Sequence, residues 1–357
     1  MAPGEKPRDT DGPFVLMLSD RPAERSALER AVALVMACRA PSPGAGLPAE
    51  RPHLVVLDLP DAQRAALEPA LDWPGPPVPR LVLARSAPGA SASHIRVLPV
   101  AAPRQIVLAN VFAMIEAETR SVEARDRRLR ASNAAATAIV AELFDSAALG
   151  AGLQQTDLDR GTGIVLAAVS EVGISAWLAE VWRHDAGVYQ HTLSVAGYAS
   201  AFGARIGLAR ADLARLARSA LLHDIGKARI PTEILNKPGR LDPAEQRLMR
   251  RHPEIGAALL AAQGGFEPAV IDVVRHHHER LDGTGYPDGL AGAAVSDAVR
   301  IVAICDVFSA LTERRAYRQP ATAAEALAIM TDARGHLDPD LLRAFAPAVL
   351  GIAALAA

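Results

Sequence analysis

The stretch LLHDIGK (221–227) decides the fold of the second half of this chain, because it ends an apolar segment on side chains that can bind metal. The preceding residues, LARLARSA (213–220), place leucine and alanine at helical spacing, which predicts an amphipathic helix packed against a core. His223 and Asp224 follow, and Gly226 is a residue type at which helices stop. Metal coordination removes the cost of an unpaired carboxylate beside an apolar face. Taken alone, however, such a pair more often caps a helix end than binds a metal.

Three further segments supply donors of the same kind. The run RHHHERLDGTGYPDGL (275–290) carries three histidines into a turn rich in glycine and proline, and neighbouring histidines cannot all face the core of their own helix. Asp306 lies within RIVAICDVFSAL (300–311), where hydrocarbon surrounds it. His252 precedes Pro253, which sets the end of the helix before it. Nitrogen and oxygen donors from separate segments favour a pair of iron or manganese ions over a structural zinc.

Five blocks of sequence together resemble the HD-GYP family of bacterial cyclic di-GMP phosphodiesterases. The blocks are VYQHTLSV (188–195), HDIGKARIPTEILNKPGRL (223–241), HPEIG (252–256), HHERLDGTGYPDGL (277–290) and RIVAICDVFSALTERRAYR (300–318). The order and spacing of all five agree with the family, which is a far more specific signal than an isolated HD pair. The resemblance implies an all-α HD-type helical bundle that hydrolyses a phosphodiester bond of cyclic di-GMP to pGpG or GMP.

The resemblance also implies a role for individual residues. The metal ligands that it implies are His191, His223, Asp224, His252, His277, His278 and Asp306. The substrate-binding residues that it implies are Lys227, Gly285, Tyr286, Arg315 and Arg318. Asp224 is similar to the residue that bridges two metal ions, and Lys227 resembles the lysine that holds the scissile phosphate, so these two are the implied catalytic residues. His276 falls one place before the matched pair and receives no role.

Two positions depart from the family pattern. Gly187 stands four residues before His191, where family members with three metal ions carry a glutamate. The resemblance therefore implies two divalent ions without the third, and members with two ions are associated with the product pGpG. Ala316 replaces a proline that is common in the family, a change that we expect the fold to tolerate.

Residues 13–118 alternate short apolar runs with helical segments, which predicts a doubly wound α/β domain. We predict strands at 13–20, 53–60, 80–87 and 95–100, and helices at 23–38 and 103–119. This pattern resembles a response-regulator receiver domain, in which Asp58 would be the phospho-acceptor and Asp20 a metal-binding acid.

The receiver pattern is degenerate at several positions. Arg85 or Ser86 stands where a hydroxyl is expected, Leu98 replaces the lysine before a proline, and a loop rich in proline and glycine at 39–52 replaces the second strand and its partner helix. Without the lysine, an aspartyl phosphate loses its cation, so we expect Asp58 to take no phosphate. A strand-end carboxylate that caps a turn is an equally good interpretation of Asp58.

Residues 119–155 are charged first and then rich in alanine, which predicts a linker helix before a catalytic domain at 156–350. This helix could form a homodimer or could be a plain surface helix. The sequence does not decide between the two, because no heptad pattern is sustained. Signalling proteins are further candidate partners. Within the catalytic domain we also predict helices at 161–182 and 242–251, the second with Asp242 as its N-cap and Glu245 at its third position.

Composition argues against several other classes of protein. A net charge of −2 over 357 residues, without a basic tract, argues against a nucleic-acid-binding protein. Because the first dozen residues are polar and no apolar window of about 18 residues is evident, we expect neither a signal peptide nor a membrane span, and a cytoplasmic location. Cys38 and Cys305 are too few for a disulfide framework.

Two alternatives to a cyclic di-GMP phosphodiesterase stay open. One is an HD phosphohydrolase that acts on another cyclic dinucleotide or on mononucleotides; the GYP block with Arg315 and Arg318 argues against mononucleotides. The other is a module that binds a cyclic dinucleotide or a protein without catalysis. Because every metal ligand of the family is present in the sequence, we rank this non-catalytic module well below the enzyme.

Overall fold

The computed structural model describes residues 12–41, 45–73, 75–86, 92–183, 187–313 and 319–353. The chain forms two compact units, Met1–Arg127 and Arg128–Ala357. Each unit is built around its own buried apolar residues.

The first unit is a parallel five-stranded sheet in the order β2-β1-β3-β4-β5. Its strands are β1 Phe14–Ser19, β2 Ala37–Arg39, β3 Leu54–Asp58, β4 Arg80–Ala84 and β5 Ile95–Pro99. Strands of a parallel sheet are covered on both faces and therefore have continuous apolar sequences, and β1 and β3 are almost entirely buried. The strand order is one of the two common orders of doubly wound α/β sheets, which confirms the α/β prediction at this level.

Helices cover the sheet of the first unit. They are α1 Pro22–Val32, α2 Asp61–Leu67 and α3 Arg104–Leu149, with a 3-10 turn at Glu68–Ala70. Val15 and Met17 of β1 face Val107 and Val111 of α3 on one side of the sheet. Phe14 and Leu16 of β1 face the opposite side of the sheet, which is covered partly by Trp73.

Three details of the first-unit prediction are wrong. A second strand is present, because Ala37–Arg39 pairs in parallel with β1, and the predicted helix at 23–38 accordingly ends at Val32. A helix that was not predicted, α2, follows β3. The helix expected at 103–119 and the linker helix are one continuous helix, α3, because no glycine or proline interrupts Arg104–Leu149. The domain boundaries at 118 and 155 stay predictions.

The described part of the second unit is helical apart from one isolated β-bridge between Asp282 and Ala291. Its helices after α3 are α4 Gln155–Val181, α5 Val188–Arg205, α6 Arg210–Leu222, α7 Thr232–Leu235, α8 Pro243–Met249, α9 His252–Gln263, α10 Pro268–His276, α11 Asp297–Thr312, α12 Ala323–Asp332 and α13 Pro339–Ala353, with 3-10 turns at Ile225–Arg229 and Gly292–Ala294. The Asp242 carboxylate accepts hydrogen bonds from Ala244 N and Glu245 N, which confirms the predicted cap of α8. Gly226 does not stop α6, which ends at Leu222.

Helix α4 is long and apolar enough to cross a membrane by length and composition, with a mean hydropathy of 1.7 over its most apolar window. The expectation that no such window exists is therefore wrong. In the second unit this helix packs against α5 and α6. Its Trp177 is fully buried, and the indole Nε1 donates to the Leu193 carbonyl at 3.2 Å. Of its most apolar window, 39% is buried inside the structure.

Candidate metal centre

Five helices of the second unit bring the seven predicted metal ligands to one place, mostly at helix ends. They are His191 on α5, His223 and Asp224 after α6, His252 at the start of α9, His277 and His278 after α10, and Asp306 in α11. All except His278 are buried. A helix end frees a side chain from the packing of its own helix, so ligands that are distant in the sequence can converge.

The converging side chains form two groups. His252, His277 and His278 can each offer a ligand atom within 4.8 Å of the others, and so can His191, His223 and Asp306. The carboxylate of Asp224 lies between the groups. Its Oδ1 is 3.1 Å from His252 Nε2, and its Oδ2 is 3.3 Å from His223 Nε2. One carboxylate therefore faces both groups with different oxygens.

Backbone carbonyls determine which ring nitrogen of three histidines carries hydrogen. The Nδ1 atoms of His223, His252 and His277 lie 2.7, 2.8 and 3.0 Å from the carbonyl oxygens three residues earlier. A carbonyl only accepts, so each Nδ1 must donate, and the lone pair of each neutral ring is on Nε2. The Nε2 atoms of His252 and His277 face each other at 3.2 Å. Two lone pairs at this distance repel unless a cation shares them.

Unsatisfied polar atoms also fit a bound cation. Among the described residues, His223 Nε2 and Asp224 Oδ1 are buried and make no hydrogen bond, although polar atoms lie close to both. Buried polar groups without a hydrogen bond are costly, and imidazole nitrogen with carboxylate oxygen is a donor set for divalent transition metals. The residues present therefore fit a metal centre.

The charges of the centre follow from its burial and its ion pairs. Burial raises the pKa of Asp224, but the Lys227 ammonium outweighs that effect and holds the pKa well below its usual value. Burial likewise opposes ionisation of Asp306, yet His191 holds its pKa far below the ordinary range. Burial lowers the pKa of His278 to about 3. At neutral pH the centre thus offers two carboxylates and a neutral His278 to a cation.

A loop anchored by Glu279 forms one side of the centre. The buried Glu279 carboxylate accepts hydrogen bonds from the backbone N–H groups of Asp288, Gly289 and Leu290 at 2.7, 2.9 and 3.1 Å. A Cβ atom on Gly285 would lie 2.5 Å from Glu279 Cα, so only glycine fits at this point of the loop. The loop therefore holds a fixed shape beside the histidines.

The same loop places an aromatic ring over the centre. The Tyr286 ring stacks on His278 with 4.8 Å between ring centres and 30° between planes. The Arg250 guanidinium carbon lies 4.2 Å from the centre of the Tyr286 ring. Burial raises the pKa of the Tyr286 hydroxyl, so it stays neutral and can donate a hydrogen bond.

Residues 179–341 match the HD domain family. The second unit contains an HD domain. The similarity extends to characterised relatives. The chain is 42% identical over 172 residues to a cyclic di-GMP phosphodiesterase of Pseudomonas aeruginosa, an alignment that covers 48% of this chain and 42% of the relative. It is 44% identical over 137 residues to the cyclic di-GMP phosphodiesterase response regulator RpfG of Xanthomonas campestris, covering 38% of this chain and 36% of the relative.

A 3'3'-cGAMP-specific phosphodiesterase of Vibrio cholerae is 38% identical over 160 residues, which cover 44% of this chain and 35% of the relative. The chain thus spans less than half the length of these three relatives. A solved structure of an HDG"Y"P protein from Bdellovibrio bacteriovorus superimposes with a TM-score of 0.52 at 18% identity, over 65% of this chain and 79% of that one, and supports the fold alone. The resemblance to HD-GYP phosphodiesterases is confirmed for the HD domain.

The remaining predicted residues of the HD domain have different outcomes. The Lys227 ammonium contacts the Asp224 carboxylate from the 3-10 turn after α6. Arg315 and Arg318, like Ala316, lie outside the described residues. Gly187 precedes α5 with a φ of 52°, and a Cβ atom there would meet nothing within 4 Å. Cys305 is a free, buried cysteine.

Sequence reasoning missed several residues that support the HD domain's centre. Glu279 and Arg250 were given no role, although the acidic residue directly after the histidine pair was a visible signal. His276 donates from Nδ1 to Asp272 at 2.7 Å and from Nε2 to Asp288 at 2.8 Å, and so ties the loop to α10. No sequence signal pointed to Glu313, whose carboxylate lies beside His191.

Asp58 belongs to the first unit and is not part of the HD domain. Its buried carboxylate accepts a hydrogen bond from Ser19 Oγ at 2.8 Å. Arg21 Nε lies 3.1 and 2.9 Å from its two oxygens. Nearby, Arg85 pairs with Asp20. The carboxylates at this end of the sheet are thus already neutralised by arginines of the same chain.

Proposed function

We propose that this protein hydrolyses a phosphodiester bond of cyclic di-GMP to pGpG or GMP, with two divalent transition-metal ions, iron or manganese, as cofactors. The observation that carries the proposal is the position of Asp224, whose two oxygens face two separate groups of imidazole and carboxylate donors. A dinuclear centre needs such a shared ligand. The metal ligands proposed are His191, His223, Asp224, His252, His277, His278 and Asp306.

The proposed mechanism divides the work between cofactor and chain. When bound, two cations would supply Lewis-acid chemistry toward a phosphoryl oxygen and would lower the pKa of water toward neutrality. Asp224 contributes a negative charge to both groups and fixes their spacing. Lys227, whose ammonium lies against Asp224 and is 22% exposed, would neutralise charge that develops on a non-bridging phosphate oxygen.

The substrate would be held by the loop and by basic residues. Tyr286, held by its contacts with His278 and Arg250, would donate a hydrogen bond from its neutral hydroxyl to a substrate oxygen, and Gly285 gives the loop its shape. Arg315 and Arg318 are proposed, from the resemblance alone, to bind the second phosphate, because guanidinium groups bind phosphates with paired hydrogen bonds. These roles make a cyclic dinucleotide a better substrate than a mononucleotide.

A second candidate substrate is 3'3'-cGAMP, because a relative named for that specificity is 38% identical over 160 residues. Both substrates share the reacting phosphodiester and differ in one base. A module that binds a dinucleotide without catalysis is the remaining alternative, and it leaves the paired Nε2 lone pairs of His252 and His277 without a cation to share them.

The test is elemental analysis of purified protein together with hydrolysis assays on cyclic di-GMP and 3'3'-cGAMP, with iron or manganese supplied under reducing conditions. We expect about two metal ions per chain and turnover of cyclic di-GMP to pGpG or GMP. Faster turnover of 3'3'-cGAMP would assign the second substrate. Full metal occupancy with binding but no turnover of either would make the protein a dinucleotide sensor.

The first unit is proposed to be a degenerate receiver-like domain that regulates the enzyme without phosphorylation. We expect Asp58→Asn to change turnover less than about two-fold. Arg21 and Ser19 already bind the Asp58 carboxylate. Leu98 stands where a receiver domain has the lysine that pairs with the phosphate. Turnover would be measured with and without acetyl phosphate. A stimulation by acetyl phosphate that Asp58→Asn removes would contradict this prediction. Dimerisation, signalling-protein partners and a cytoplasmic location stay predictions.

A further inference from the structure

The ring of His191 differs from those of His223, His252 and His277 in the partner of its Nδ1 atom. Those three rings face neutral backbone carbonyls. The Nδ1 of His191 instead lies 3.3 Å from the carboxylate oxygen Oε2 of Glu313. On the other side of the ring, Nε2 lies 3.0 Å from Asp306 Oδ1. His191 is thus held between one carboxylate inside its metal-binding group and another outside it.

Glu313 is held in a fixed place by its own backbone. It follows the last residue of α11, and its N–H donates to the Ser309 carbonyl at 2.9 Å. The side chain is 9% exposed, so the carboxylate is removed from water where it meets the ring. The Ser309 hydroxyl lies 3.4 Å from the same Nδ1 and is the weaker of the two contacts, being neutral. A buried carboxylate needs such a donor, and the ring supplies it.

We propose that Glu313 is a positioning residue that orients His191 and strengthens it as a metal ligand. By accepting the Nδ1–H hydrogen bond, the carboxylate fixes the ring with Nε2 facing the oxygens of Asp306 and Asp224, where a bound cation would take the place of the Nε2 proton. A carboxylate acceptor also makes the ring more basic than a carbonyl does, and outer hydrogen bonds of this kind typically contribute about 10- to 100-fold to metal affinity. The inference rests on the proposed metal centre and adds a residue to it.

The structure makes this effect selective for one of the two groups. Glu313 contacts His191, a member of the group with His223 and Asp306. In the group of His252, His277 and His278, the Nδ1 atoms of His252 and His277 contact the backbone carbonyl oxygens of Met249 and Val274. These contacts do not involve Glu313. Loss of the Glu313 carboxylate should therefore weaken one ion and leave the other in place.

The experiment titrates metal-free protein with Mn²⁺ in the absence of substrate and compares the wild type with Glu313→Ala and Glu313→Gln. For the wild type we expect two ions per chain. Glu313→Ala should bind one ion with wild-type affinity and the second at least about ten-fold more weakly. Glu313→Gln keeps an acceptor oxygen without the charge, so its second ion should bind with an intermediate affinity.

A matched control separates this role from a general loss of stability. Glu325→Ala removes the capping-box carboxylate of α12, which should lower the melting temperature without changing Mn²⁺ binding. Two ions bound to Glu313→Ala with wild-type affinity would overturn the inference while leaving the proposed function intact. If the wild type binds no Mn²⁺, the proposed metal centre itself fails. Equal weakening of both ions in Glu313→Ala would also overturn the inference, because the effect would then be structural.

Discussion

Replacing Asp224 with alanine should abolish turnover and release metal from both groups. The side chain is 1% exposed, and its two oxygens lie 3.1 and 3.3 Å from ring nitrogens that belong to different groups. Alanine removes the shared ligand and one negative charge, so neither cation keeps its full set of donors. We expect turnover to fall by about a thousand-fold or more, since metal ions contribute several kcal/mol to such reactions. Metal content would be measured on the same samples as activity.

Two companion variants make this result specific. Asp212→Ala removes an exposed carboxylate from α6 that pairs with Arg215, and it should leave both metal content and activity unchanged. Lys227→Ala should keep both ions and lose turnover, because the ammonium contacts Asp224 from outside the two groups of donors. An Asp224→Ala protein that retained metal and activity would refute the assignment of the centre.

Replacing Gly226 with alanine should be among the most destabilising single changes in the HD domain. A Cβ atom at Gly226 would lie 2.0 Å from the carbonyl oxygen of His252 and 2.6 Å from the backbone nitrogen of Gly256. Both are backbone atoms of α9 and cannot rotate away. Overpacking of a core usually costs about 1–3 kcal/mol, and a clash between backbones belongs at the upper end or above it. For a unit of this size we expect the melting temperature to fall by about 10 °C.

The same change should impair the metal centre, because Gly226 lies two residues after Asp224 and contacts the residue that carries the His252 imidazole. The matched control is Gly163→Ala in helix α4, where a Cβ atom would meet nothing within 4 Å. Alanine is favoured over glycine within helices by about 0.8–1 kcal/mol, so this control should be slightly stabilised. Thermal unfolding of metal-free protein measures both variants. A Gly226→Ala protein as stable as the wild type would contradict the close packing of the 3-10 turn on α9.

Features that depend on neighbouring residues in the sequence could be predicted from the sequence alone. The Asp242 cap of α8 could be predicted because the capping box is contained in four consecutive residues. The convergence of His191 and Asp306 could be inferred only through a family resemblance, since 115 positions separate them and no local rule brings them together. The parallel strands β1 and β3 were found because burial on both faces makes their sequences continuously apolar.

Other features depended on tertiary contacts that no local pattern encodes. Strand β2 has only three residues and is defined by its pairing with β1, so its sequence carries almost no periodic signal. Helix α3 was divided in two because its composition changes along its length, although nothing in it breaks a helix. Glu313 follows α11 directly, and its contact with His191 exists only because α11 packs on α5.

Because the ligands come mostly from separate helix ends, bound metal ions would stabilise the folded HD domain. An ion shared by His252 and His277 would close a chain loop of 25 residues, and one shared by His191 and Asp306 a loop of 115 residues. Bound cations would therefore act as crosslinks, and ligands that bind only the folded state raise its free energy of unfolding with the logarithm of their concentration. The lifetime of the folded HD domain would then depend on the concentration of metal ions in its surroundings, independently of any signal from the first unit.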